Sequence, residues 1–180
     1  ETAAAMDRKV TCHAMAPDKI KQCLRAGVHS IEHGSYMDDE GARLAKKTGA
    51  IFVPTLVIGP VMKSAASNFG LDPSAADAFS TAMLEAVRTA NKRGIPIALG
   101  SDSGPSQHGE NAKELLRLVE AGLSPADAIR SATLIGAHHL GLETEIGSIE
   151  TNKSADIIAV DGDPLADISV LLDVDFVMKG

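Results

Sequence analysis

Tryptophan is absent from this sequence, tyrosine occurs once and phenylalanine four times. With aromatics at 3%, the chain lacks the stacking platform that single-stranded nucleic-acid binders use. Basic residues are in the minority: 17 Lys and Arg stand against 24 Asp and Glu, for a net charge of -7. That balance leaves no electrostatic footprint for a nucleic-acid backbone. The two cysteines, Cys12 and Cys23, are too few for a disulfide scaffold, and their scarcity fits a reducing compartment. No apolar run approaches the roughly 18 residues that a membrane-spanning helix needs. Neither G-x-x-x-x-G-K-[ST] nor G-x-G-x-x-G occurs, which removes the usual nucleotide-binding loops. Gly100-Ser101-Asp102-Ser103-Gly104 has the outline of a nucleophile elbow, but its centre is Asp, not Ser.

What is present is ordinary globular composition: 180 residues, 44% hydrophobic and 23% charged, with 16 Gly and 8 Pro. That length suits one domain, or one and a fraction. The opening Glu1-Thr2-Ala3-Ala4-Ala5 is neither a methionine start nor a signal peptide, so the chain is expected to be the later part of a longer protein.

Four short apolar runs organise residues 1–143, each followed by a helical pattern. The first ends near Val10-Thr11-Cys12, and a helix is expected over residues 17–25, with Pro17 in its first turn and Gly27 as its stop. The second covers residues 28–31; its helix starts at Asp38 or Asp39, where acidic groups suit the positive helix end, and stops before Gly49. The third covers residues 50–53 and closes at Pro54, with a long helix over 74–93 stopped by Gly94. The fourth covers residues 95–99, followed by an amphipathic helix over 111–121 with Leu115, Leu118 and Val119 on one face. Ser124 and Pro125 open a further helix reaching about residue 138. Alternating strands and helices imply a parallel sheet with right-handed crossovers. After Leu142 the character changes: residues 146–149, 156–160 and 175–178 read as strands of a small β domain over 144–180. A closed (β/α)8 barrel needs about 250 residues, so the α/β part suffices for half of one.

The chemistry-bearing residues follow these runs. His13 comes after the first, His33 after the second, Pro54-Thr55 after the third and Asp102 after the fourth. Parallel α/β folds place their active sites at such C-terminal strand ends. Two imidazoles and a carboxylate converging there suit a divalent metal such as zinc, manganese or iron. Each residue alone has a plainer reading as a hydrogen-bonded strand end or a turn former. Cys12 is next to His13 on a strand and points to the opposite face, which disfavours a Cys–His pair. Tyr36 and His108 sit in loops where they could touch substrate; both also read as surface residues. Glu32 faces away from His33, His29 starts a strand far from the mouth, and His138 and His139 are structural residues of a helix.

Taken in order, Val10-Thr11-Cys12-His13-Ala14, Gly27-Val28-His29-Ser30-Ile31-Glu32-His33-Gly34, Pro54-Thr55-Leu56 and Leu99-Gly100-Ser101-Asp102-Ser103-Gly104 resemble the amidohydrolase superfamily. The tail adds Ile146-Gly147-Ser148-Ile149-Glu150, Lys153-Ser154-Ala155-Asp156 and Asp161-Gly162-Asp163-Pro164-Leu165. More narrowly the chain resembles the imidazolonepropionase-like and Xaa-Pro dipeptidase (prolidase-type) branch. The resemblance implies the C-terminal half of a (β/α)8 TIM barrel, strands five to eight, followed by part of a small β-sandwich domain. It implies a metal-dependent hydrolase with one or two divalent ions, most often zinc. His13 and His33 match the metal ligands of strands five and six, and Asp102 the strand-eight residue that contacts metal and shuttles a proton. Tyr36 and His108 would help hold a substrate carboxylate. The implied reaction is hydrolysis of an amide in a dipeptide or N-acyl amino acid by a metal-activated water. The alternatives are a cyclic amide such as imidazolone-propionate, or a non-catalytic half barrel acting as a binding or partner module. The H-x-H pair of the superfamily is missing, and no strand precedes Val10 to carry a strand-four ligand. The isolated chain is therefore expected to be inactive and, with sheet edges open, to self-associate as a homo-oligomer. A small-molecule or dipeptide substrate, no nucleic-acid or membrane partner, and a cytoplasmic location complete the expectations.

Overall fold

The computed structural model describes residues 2–66, 70, 72–104 and 106–180. A short helix α1 (Thr2–Ala5) leads into three parallel strands, β1 (Thr11–Ala14), β2 (Ser30–His33) and β3 (Ile51–Val53), in the order β1-β2-β3. Register aligns Ala14 with His33 and Glu32 with Val53, so the three C-terminal strand ends lie side by side. The crossovers are α2 (Pro17–Arg25) and α3 (Asp39–Thr48). Pro17 occupies the first turn of α2, where its missing N–H costs nothing. Asp38 caps α3 by accepting the Gly41 N–H. Gly49 ends α3, and Gly94 ends the long helix Pro73–Arg93, both in the left-handed conformation, as their positions in the sequence suggest.

Side chains alternate across the sheet and divide its packing in two. Ile31, Phe52 and Ile97 face the helices and join Ile20, Leu24, Val87 and Leu118 in the main core. Ile51, Val53 and Ala98 form a smaller cluster, with Ile135 packed against it. The helices over the main core are α4 (Ile58–Ala65), α5 (Pro73–Arg93), α6 (Lys113–Glu120) and α7 (Pro125–Ala132), followed by α8 (Leu134–Leu140). Ser124 caps α7: its hydroxyl accepts the Asp127 N–H at 3.1 Å, with Pro125 in the first turn. Ser124→Ala is expected to cost about 1 kcal/mol, visible as an earlier thermal transition.

Three expectations are corrected. The fourth run, 95–99, forms only one parallel bridge, Phe52 to Ile97; the next ladder donor from the β3 side would be residue 54, and Pro54 has no N–H, while the Leu99 N–H, on the opposite edge, donates to Ser131 O at the end of α7. The helix expected to run to about residue 138 breaks at Thr133 (φ -120°, ψ -88°) into α7 and α8. Residues 146–149 form no strand: Ile149 is 83% exposed, and Lys153 reaches across this stretch to Glu143 O and Ser148 Oγ. The later β segments do pair, as β4 (Ile157–Ala159) antiparallel to β5 (Phe176–Met178), with a 3-10 turn (Ile168–Leu172) between them. Helix α4 was not expected. Finally, Cys12 and Cys23 are bonded, with Cα atoms 6.5 Å apart. Cys12 points from β1 toward α2, which carries Cys23, so pairing follows from the strand alternation that turns Cys12 away from His13. Among the described residues no helix is long and apolar enough to cross a membrane.

Candidate active site at the strand ends

The ends of β1, β2 and β3 and the loop after Leu99 bring the chemistry-bearing residues to one side of the sheet. His13 lies in β1 and His33 ends β2; their rings meet edge to face with centroids 4.5 Å apart. His33 Nδ1 and Thr55 Oγ1 share a hydrogen bond of 2.8 Å. That bond commits one ring nitrogen and leaves Nε2 as the other functional atom. Burial holds His33 below the usual imidazole pKa, and neighbouring His13 adds to this, against the opposing charges of Asp102 and Glu32. A ring kept neutral at pH 7 keeps a lone pair for a metal or a proton.

Five residues other than glycine have positive φ among the described residues, and three of them are His33 (68°), Thr55 (51°) and Asp102 (48°). Each follows an apolar run within three residues. For β-branched Thr55 this conformation is an outlier. Such strain, about 1–3 kcal/mol each, persists only where the surroundings over-determine it, and it concentrates at functional sites.

Two devices hold these loops. Asn111 Nδ2 donates to Ser101 Oγ (2.7 Å) and Ser103 Oγ (2.9 Å), gripping the chain on both sides of Asp102. Glu114, fully buried in the first turn of α6, accepts the N–H groups of Leu56 (2.6 Å) and Val57 (2.8 Å). Burial pushes the Glu114 carboxyl up to about 7, against the pull of those two donors and of Arg117. Sequence reasoning missed Glu114. Its signal was there: Glu114, Leu118 and Ala121 share one helical face, and all three are fully buried.

The other expected residues are placed less centrally. Asp102 is exposed on its loop and acts on His33 through its charge. Tyr36 is 46% exposed, and its ring lies against Phe79 of α5. His108 is exposed in the loop before α6. Among the described residues no three His, Cys, Asp or Glu side chains form a complete metal-binding group. Glu32 accepts from Ser30 Oγ at 2.6 Å, His29 Nδ1 accepts the Val10 N–H, and the carbonyls of His138 and His139 accept from Lys9.

Two imidazoles thus meet at adjacent ends of a parallel α/β sheet, and comparison with known proteins gives the family. The chain belongs to the amidohydrolase family, whose profile matches residues 1–180. It is 38% identical to a solved Xaa-Pro dipeptidase with methionine bound in its active site, with a TM-score of 0.88, covering 98% of this chain and 45% of that one. It is 33% identical over 174 residues to the ochratoxinase of Aspergillus niger, covering 94% of this chain and 36% of the relative. It is 30% identical over 168 residues to the imidazolonepropionase of Geobacillus kaustophilus, covering 79% of this chain and 36% of the relative. The chain thus spans between a third and a half of the length of these relatives.

Proposed function

We propose that the whole protein is a metal-dependent amidohydrolase that cleaves the amide of a dipeptide or N-acyl amino acid, with His13, His33 and Asp102 in its active site. In this reading β1, β2, β3 and the 95–99 run are strands five to eight of a (β/α)8 barrel. Residues 144–180 then belong to a separate small β domain. The observation that carries the reading is the contact of His13 with His33 at the C-terminal ends of neighbouring parallel strands.

The donor set fits a divalent ion in kind. Two imidazoles meet, one is held neutral with Nδ1 already engaged, and a carboxylate is within electrostatic reach. It is incomplete in number, so the remaining ligands would come from other parts of the protein. His13 and His33 would hold the ion, zinc being the best match to these donors; when bound, it supplies Lewis-acid polarisation and acidifies water. Thr55 fixes the ring of His33. Asp102 accepts a proton from the attacking water at its carboxylate oxygen and returns it to the leaving amine nitrogen. Its exposed loop position suits that traffic. Tyr36 and His108, on loops around the same face, would bind the carboxylate of the substrate.

The test is a hydrolysis panel run on the whole protein with zinc or manganese. It contains Xaa-Pro and other dipeptides, N-acyl amino acids and imidazolone-propionate. The expected result is release of a free amino acid from a linear amide, lost on chelation and restored by metal. Turnover of the imidazolone alone would replace the substrate with a cyclic amide. No turnover of any member would contradict the proposal and favour a binding module.

A further inference from the structure

We propose that Glu114 is a positioning residue of the active site: its carboxylate locks the loop after β3 so that the Thr55 hydroxyl orients the ring of His33. This rests on the reading of His33 as a functional imidazole.

A carboxylate with no exposed surface is costly to bury unless its oxygens are satisfied. Glu114 satisfies them on two consecutive backbone N–H groups, Leu56 and Val57, far away in sequence. Those donors lie at the start of α4, whose N-cap residue Val57 offers no side-chain acceptor. Glu114 therefore anchors, from another helix, the two residues that lead into α4. An anchoring role alone would end there. The residue just before this pair, however, is Thr55.

Thr55 is 4% exposed and holds a left-handed conformation that a β-branched residue avoids. That conformation presents Oγ1 to His33 Nδ1 at 2.8 Å. Nothing in Thr55 itself favours it. It is imposed from both sides: Pro54 restricts the chain before it, and the Glu114 clamp fixes the chain after it. The path from Glu114 through the 55–57 backbone to His33 is continuous, with a hydrogen bond at each end. Loosening the clamp frees Thr55 to relax to negative φ, which swings the hydroxyl away and releases the ring.

The test uses the whole protein labelled with 15N-histidine, stripped of metal, with His33 assigned through a His33→Asn variant. In the parent the His33 ring nitrogens report one tautomer. Thr55→Val removes the hydroxyl at nearly constant shape and is expected to give a tautomer mixture. Glu114→Gln is expected to give the same mixture, and the double variant no more than Thr55→Val alone, since both act on one contact. Glu114→Asp, which draws the carboxylate back by one bond, serves if the Gln variant fails to fold, with the same expectation. In the metal-loaded enzyme kcat falls about 10- to 100-fold in each single variant, and the losses do not multiply. Glu114 variants that lower the melting temperature but leave the His33 resonances at their parent values would overturn the proposal. If the resonances move together in a protein that hydrolyses no amide, the positioning stands and the proposed function falls. Hydrolysis with unmoved resonances means the reverse.

Discussion

Under the proposed function, Asp102→Asn is expected to lower kcat by about a hundred- to ten-thousand-fold, the range for a lost general acid–base group, and to leave the melting temperature of the whole protein unchanged. The separation of the two effects comes from the local structure. Asp102 is exposed, so its side chain adds little to the core. The loop around it is held by Asn111 through Ser101 and Ser103, contacts the carboxylate does not make. Its φ of 48° is one that Asn tolerates better than other residues bearing a Cβ. The amide therefore keeps shape and backbone and removes only the oxygen that takes up the proton. Asp102→Ala would mix in a backbone penalty, which makes it the poorer variant. Steady-state kinetics beside a thermal melt read both quantities, and a kcat within twofold of the parent would remove Asp102 from the mechanism.

Gly34→Ala is expected to have the largest effect on stability. Gly34 directly follows His33, with φ at 50°. A Cβ at that position would stand 2.4 Å from Cε2 of Phe52, a ring buried in the main core. The left-handed conformation costs about 1–2 kcal/mol with a Cβ, and overpacking a well-filled core about 1–3 kcal/mol more. Together these approach half the stability of a marginal domain. Gly49→Ala is the matched control. Gly49 has φ of 74°, but a Cβ there meets nothing within 4 Å. The control therefore loses only the conformational part. Denaturant unfolding of both variants checks the difference; equal losses would show that the Phe52 contact relaxes freely.

The parallel strands and crossover helices were legible because their signals are local. Short apolar runs, Pro17 and Asp38 at helix starts, and Gly49 and Gly94 at helix ends each act within a few residues. Helix α4 was not, because Gly59 and Pro60 lie inside it and the residues leading into it are anchored by Glu114, more than fifty residues on. The break at Thr133 has no proline or glycine at the break to announce it. The fourth run fell short of a strand because Pro54, on the facing chain, has no N–H to extend the ladder, a loss that no pattern within residues 95–99 reveals.

The site divides in the same way. His13, His33 and Asp102 were visible because strand ends can be counted along the chain, and the structure brings the two imidazoles together. Thr55 was quoted as part of a motif without a role. Its role needs a left-handed backbone and a partner on the next strand, neither of which is written in residue type. Glu114 hid in a helix judged by its leucines. An acid on the buried face was the clue that amphipathic averaging smooths away. The Cys12–Cys23 bond depends on how α2 packs over β1, and two cysteines eleven residues apart do not disclose it.

The most direct test of the central claim is anomalous diffraction from crystals of the whole protein loaded with zinc. The account predicts a peak within bonding distance of imidazole nitrogens of both His13 and His33, with Thr55 still bonded to His33 Nδ1. Zinc bound elsewhere, with these two rings facing each other and no ion, would contradict it.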